Sequence, residues 1–108
     1  MSGSVACWGS NSFGGLGDGT NIEHHTPILV SGLSSGVSIA TGEYHSCAVL
    51  ADGTAYCWGY NWAGQLGDGT IIHRYLPTTV IGNLTAISHI ESTYSHNCVR
   101  YQDGTAAC

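Results

Sequence analysis

The sequence predicts an all-β chain built from a repeated antiparallel unit, and three observations carry that prediction. Gly or Pro interrupts every window long enough for three helical turns except Asn83 to Asp103, and that stretch repeats, in phase, the Gly-interrupted residues about fifty positions before it. The apolar runs are short and β-rich: Val37 to Ala40, Cys47 to Leu50, Thr54 to Trp58 and Thr78 to Ile81, each bounded by Gly, Asp, Asn or Pro. The chain also writes itself twice, since "CWGSNSFGGLGDGT" from Cys7 to Thr20 returns as "CWGYNWAGQLGDGT" from Cys57 to Thr70.

The repetition extends well beyond that stretch. Cys7, Trp8 and Gly9 recur as Cys57, Trp58 and Gly59, and Asn11, Gly14, Leu16, Gly17, Asp18, Gly19 and Thr20 recur fifty residues on, the last four as Gly67, Asp68, Gly69 and Thr70. Pro27 and Val30 return as Pro77 and Val80. The offset then becomes fifty-one, because Asn83 is inserted, and Leu33, Ile39, His45 and Cys47 return as Leu84, Ile90, His96 and Cys98. Asp52-Gly53-Thr54 matches Asp103-Gly104-Thr105, and Cys57 reappears as Cys108. Glycine bias alone would not keep Trp, Pro, His and Cys in phase.

Within one period the elements follow in order. Val37 to Ala40 is a short strand, and a turn around Gly42 leads to a second strand, His45 to Leu50. Ala51-Asp52-Gly53 is a hairpin turn, because Asp-Gly supplies the positive φ that tight hairpins demand. Thr54 to Trp58 returns as a third strand, and a long Gly-rich loop leads to a fourth, outer strand from Pro77 to Ile81, where Pro is tolerated at a start or an edge. Four strands in about fifty residues is the size of one propeller blade.

At this point the residues resemble a known family. "CWGYNWAGQLGDGT", the later Arg74 and Pro77, and "IATGEYHSCAVLADGTAYCWG" are similar to the regulator-of-chromosome-condensation repeat. The resemblance covers both periods and implies blades of a β-propeller, usually seven-bladed in that family. The first period departs from it at Gly15, where the second has Gln65, and at His24, where the second has Arg74. The last period has Thr93 in place of Gly42 and Arg100-Tyr101 in place of Val49-Leu50. The family includes exchange factors for small GTPases, chromatin binders and secreted inhibitors, but those activities reside in loops and do not transfer with the repeat.

The expected organisation is a leader over 1–4, the third and fourth strands of a split blade over 5–35, a complete blade over 36–82, and the first three strands of a split blade over 83–108. The leader resembles an expression sequence, being neither basic nor apolar. Two blades cannot close a ring, because propellers use roughly four to eight. The expected fold is therefore all-β, with four-stranded antiparallel propeller blades, two per chain, and a ring closed by homo-oligomerisation. Three chains give six blades and four give eight, as a cyclic homo-trimer or homo-tetramer.

The five cysteines fit the hairpins. Cys47 and Cys57 are equidistant from Asp52, and Cys98 and Cys108 from Asp103, so each pair faces across its hairpin within reach of a disulfide, or packs as two buried thiols. Pairing would point to an oxidising, extracellular parent. Cys7, the counterpart of Cys57 and Cys108, is left over and could compete with Cys108 for Cys98 of a neighbour.

Other chemistry finds little support. The net charge is −5, Arg74 and Arg100 are the only cations and Lys is absent, so the chain lacks the basic stripe that nucleic acid requires. No apolar run approaches the roughly 20 residues of a membrane helix. Gly15-x-Gly17-x-Gly19 has neither dinucleotide spacing nor a P-loop Lys, and the Asp of "GGLGDG" comes one residue early for a calcium repeat. Paired CxxC zinc motifs are absent, His24 and His25 point to opposite faces of a strand, and His73 and His89 lack His counterparts, so no metal or other cofactor is expected. His45 and His96 recur within "HSC" and "HNC", which reads as a repeated structural role, hydrogen bonding to backbone near the hairpin, rather than a triad with Ser46 or Cys47. Asn83-Leu84-Thr85 is a glycosylation sequon of the kind that arises by chance. Trp8, Trp58 and Trp62 raise a small-ligand or carbohydrate site as a lesser option. The expected function is a non-catalytic, self-assembling propeller scaffold with protein-binding loops. The alternative is a protein-interaction module from a longer secreted propeller.

Overall fold

A computed structural model describes residues 3–81 and 86–108, so the sequon at 83–85 and the first two residues of the leader lie outside the described residues. Among the described residues nine strands follow one another: β1 (Ala6–Gly9), β2 (His24–Leu29), β3 (Gly36–Thr41), β4 (His45–Leu50), β5 (Ala55–Gly59), β6 (Arg74–Thr79), β7 (Ile87–Ser92), β8 (Asn97–Tyr101) and β9 (Ala106–Ala107). They form three antiparallel sheets, β1-β2, β3-β4-β5-β6 and β7-β8-β9, and within each sheet the strands stand in chain order.

The hairpins set the register. In the β4–β5 turn Gly53 takes a φ of 83°, and Asp52 Oδ1 accepts from the Thr54 amide and hydroxyl at 3.0 and 2.6 Å. Asp103, Gly104 and Thr105 repeat the turn, with a φ of 88° and distances of 2.9 and 2.6 Å. The carboxylate thus does locally what a backbone carbonyl would do in a tight turn. Register then places Cys47 opposite Cys57 and His45 opposite Gly59.

The fourth strands differ from expectation. They begin earlier, at His24 and Arg74 rather than near Pro27 and Pro77, because Gly9 and Gly59 pair with those residues across a bulge. Pro27 and Pro77 therefore stand within β2 and β6, which are sheet edges where a missing N–H costs no ladder bond. The third strand of the last unit, expected from Thr105 to Cys108, is only Ala106–Ala107.

Two apolar clusters form the core, one between each successive pair of sheets. Val5, Val30 and Leu33 pack with Ala48 and Trp58, while Val49, Ala55 and Leu66 pack with Ile87, Ile90 and Val99. The two clusters use largely repeat-related positions, so what the repeat duplicates is an inter-sheet contact. Backbone ties repeat it as well: Gly36 N donates to Gly3 O at 2.7 Å, as Ile87 N donates to Gly53 O at 3.1 Å.

Candidate functional site

The Gly-rich loops between third and fourth strands are each folded around one buried Asn. Asn61 Oδ1 accepts from the Leu66 amide at 3.0 Å, while its Nδ2 donates to the carbonyls of Thr70 and Ile72 at 3.1 and 2.9 Å and to Asp68 Oδ1 at 3.2 Å. Asn11 makes the same set, with Leu16, Thr20, Ile22 and Asp18. Both side chains are buried, so these bonds satisfy amides that would otherwise lose water without replacement. The Gly17-Asp18-Gly19 and Gly67-Asp68-Gly69 segments close the loop beside it. Each Asp accepts from the amide two residues on, at 3.0 Å from Thr20 and 3.0 Å from Thr70.

The two loops differ in their cation. Asp68 receives Arg74 Nε at 2.9 Å, whereas Asp18 meets the His24 imidazole at 3.2 Å. Burial disfavours the charged form of Asp68, but hydrogen bonds from Thr70, Arg74 and Asn61 outweigh it and hold the carboxyl at about 2. A folded-state value below the ordinary one means that the carboxylate stabilises the fold fully above the ordinary value, and that this contribution is lost as pH falls toward 2. Asp68→Asn should therefore lower the denaturation midpoint at pH 7 and change it little at pH 2, as urea titrations at the two pH values would show. An equal loss at both would assign the effect to shape instead of charge.

The cysteines are joined as Cys47–Cys57 and Cys98–Cys108, and Cys7, half-buried on β1, is the one free cysteine among the described residues. The histidines depart from the expected pattern. His45 is buried and its Nε2 lies 2.8 Å from Asn97 Oδ1 of the next sheet, so its partner is a side chain and not the hairpin backbone. His96 is exposed and engages Thr93 Oγ1 at 2.9 Å. The reason lies at Gly42, where an added Cβ would come within 2.1 Å of the His45 ring. Thr93 occupies that position in the last unit and excludes the same placement of His96.

Trp58 is fully buried and its indole N–H donates to Gly15 O at 2.9 Å, so it belongs to the core and offers nothing to a ligand. Trp8 and Trp62 are exposed. Around Trp62 a surface cluster forms that the sequence reading did not anticipate. Phe13 meets Tyr44, Tyr60 and His73 at centroid distances of 5.2, 4.8 and 5.2 Å, and Tyr60 stacks on His73 at 4.9 Å. The backbone N–H of Asn61 donates to His73 Nδ1 at 2.9 Å, which leaves Nε2 as the protonated nitrogen of the neutral ring. These residues are not copied between periods, which is why a search for repetition passes over them. Edge-to-face packing of this kind makes a rigid apolar surface with polar tips. Among the described residues no group of three His, Cys, Asp or Glu converges to hold a metal.

Beside this surface, a groove of about 490 Å³ runs between β1 and the β3–β4 pair, lined by Trp8, Phe13, Ile39, Glu43 and Tyr44 among others. β1 pairs with β2 on one side and borders the groove on the other. In the central sheet β4 occupies the corresponding place beside β5.

The comparisons agree with this architecture. The family model described as the regulator of chromosome condensation (RCC1) repeat matches residues 2–49 and 52–100, and a second model of the same description matches 37–65. No curated protein matches the chain. Yeast RCC1 (Prp20), solved bound to Kap60, superposes with a TM-score of 0.80 at 23% identity, over 98% of this chain and 28% of that one. Prp20p from Saccharomyces cerevisiae, a protein with binding properties toward Gsp1p and histones, gives 0.75 at 20% identity, over 88% and 26%. Human WBSCR16 gives 0.76 at 24%, over 92% and 27%. The chain thus spans little more than a quarter of the length of these propellers. With the repeat model matched over residues 2–49 and 52–100, the chain belongs to the regulator of chromosome condensation (RCC1) repeat family.

Proposed function

We propose that the chain is a non-catalytic propeller unit that associates with copies of itself into a closed ring, with its loops available to protein partners. The observation that carries this reading is the groove along β1. It has the place, relative to β1, that β4 has relative to β5. The strand of this chain that is repeat-equivalent to β4 is β8, so a neighbour's β8 is the natural occupant. In that register Cys98 of the neighbour faces Cys7, as Cys47 faces Cys57. The neighbour's β9, two exposed residues, would yield to β1, which is twice as long. In these terms 5–35 and 83–108 are complementary parts of one split blade, on either side of the complete blade at 36–82.

The contact is head-to-tail, and repeating it closes a ring when the rotation between copies is a simple fraction of a turn. With two blades per chain the ring holds six or eight blades, from three or four copies. Cys7 adds a covalent possibility. Its thiolate attacks Cys98 Sγ of the neighbour and Cys108 leaves as a thiolate, so one disulfide replaces another and no oxidant is consumed. Burial pushes the Cys7 thiol up, which makes this exchange slow at neutral pH and faster in mild alkali. Multi-angle light scattering tests the association itself: a discrete trimer or tetramer supports it, and a chain that stays monomeric at high concentration overturns it.

A second reading is favoured by the aromatic cluster of Phe13, Tyr44, Tyr60, Trp62 and His73. Tyr and Trp on a rigid surface are the usual anchors of protein interfaces. Here the chain is a protein-interaction module of a longer, secreted propeller, its two disulfides suiting an oxidising compartment. The similar yeast propeller has binding properties toward Gsp1p and histones. The net charge of −5 and absence of Lys argue against nucleic acid as the partner here.

A further inference from the structure

We infer that Trp8 is the anchor of the inter-chain contact, and that it seats in a preformed apolar socket between β5–β6 and β8 of a second copy. The inference rests on the self-association reading and adds to it the residue and the cavity. It starts from a mismatch within the repeat. Trp8 and Trp58 hold the same motif position, yet Trp58 is 0% exposed and Trp8 is 61% exposed.

Trp58 is buried by the sheet before its own. It packs on Val5, Val30 and Leu33 of the preceding unit and on Ala48 of its own sheet, and its indole N–H reaches Gly15 O. Gly17 lies against it so closely that an added Cβ would come 2.7 Å from the indole nitrogen and 2.8 Å from Val30. Moving one period on, the residues that correspond to this socket are Ala55, Val80, Val99, Gly67 and the Gln65 carbonyl, while Leu84, the counterpart of Leu33, lies outside the described residues.

Those residues surround a cavity. Ala55, Gly67, Val80 and Val99, with Leu66, line an apolar space of about 260 Å³, the scale of one large aromatic side chain, and Ala107 and Cys108 of the β9 segment that β1 would replace close its remaining side. The nearest atoms to a Cβ built on Gly67 all belong to Val80, whereas those nearest Gly17 include the Trp58 indole, so the Gly67 position has the valine of the socket without the indole. The Gln65 carbonyl accepts from Asn97 Nδ2, as Gly15 O accepts from Ser46 Oγ at 2.9 Å. In the complete socket the same Gly15 oxygen also takes the indole N–H, so the Gln65 oxygen is the expected acceptor for Trp8 Nε1 of the second copy.

The geometry joins the two features through the register already proposed. β1 of one copy, set beside β8 of its neighbour, carries Trp8 immediately after Cys7, as Trp58 follows Cys57. A fully desolvated Trp in a shaped pocket is the commonest kind of interface hot spot. Each chain has one Trp8 and one socket, at different ends, which gives the contact its direction and its ring-forming character.

Two exposed-site variants test this without disturbing the core. Trp8→Ala removes the anchor, and Ile81→Arg, at an exposed residue on the socket rim, places a guanidinium at the mouth. Each variant alone should weaken association by about 30-fold or more in analytical ultracentrifugation, with unchanged circular dichroism. Mixed together, they should give a discrete one-to-one heterodimer, because one functional Trp8 and one functional socket remain between them. If the unaltered chain assembles and Trp8→Ala assembles equally well, the socket is overturned while self-association stands. An unaltered chain that is monomeric overturns both.

Discussion

Replacing Trp58 with alanine is expected to be the most damaging single change, costing about 3–5 kcal/mol of unfolding free energy. The indole is fully buried between two sheets, packed against Val5, Val30, Leu33 and Ala48. Truncation leaves a cavity that rigid strands on both sides cannot collapse, and it removes the bond to Gly15 O. Against a total stability of about 5–15 kcal/mol for a single domain, the loss is a large fraction. Thermal denaturation should therefore shift by well over 10 °C, roughly 4–8 °C for each kcal/mol in a domain of this size. Trp8→Ala, measured at a concentration where the chain is dissociated, should stay within about 0.5 kcal/mol of the unaltered protein. Similar losses for the two would contradict the assignment of Trp58 to the core and Trp8 to the surface.

Asn61→Ala should rank second, at about 2–4 kcal/mol. The change leaves the Leu66 amide and the carbonyls of Thr70 and Ile72 without the partner that folded the loop. The sharper test is Asn61→Asp, which keeps the acceptor for Leu66 and loses the donor. A carboxylate there would face Asp68 and two carbonyl oxygens, so its folded-state pKa is raised and the charged form destabilises. Stability of Asn61→Asp should improve as pH falls through that raised value, because the protonated acid regains one donor. The unaltered chain should show the opposite trend toward pH 2, since the lowered Asp68 value makes its carboxylate stabilising. Chemical denaturation of both proteins across the acid range would read the contrast. A flat profile for Asn61→Asp would mean that the side chain swings out of the loop and the network is not what holds it.

The strands and hairpins were legible because their determinants are local and duplicated. Asp52-Gly53 and Asp103-Gly104 fix turns by their own chemistry, and equal spacing about them puts the cysteines opposite one another. The fourth strands were placed too late because Pro suggested a beginning, whereas pairing of Gly59 with Arg74 across a bulge starts the strand three residues earlier. The role of Asn61 was hidden for a related reason. An Asn in a Gly-rich segment reads as a turn former, and only the closed loop shows its amide spanning eleven residues to Ile72. The histidines illustrate the limit of arguing from phase. His45 and His96 match in sequence, but Thr93 in place of Gly42 changes the space available to the ring. The aromatic cluster came from residues outside the repeat, where periodicity carries no information.

The mass of the chain in solution, measured by multi-angle light scattering across a dilution series under non-reducing conditions, tests ring closure most directly. Closure into a ring predicts one discrete species of three or four times 11.3 kDa, which dissociates on dilution except in the fraction that the Cys7 exchange has joined covalently. A chain that stays at 11.3 kDa up to high concentration, or one that grows without limit, would contradict closure into a ring.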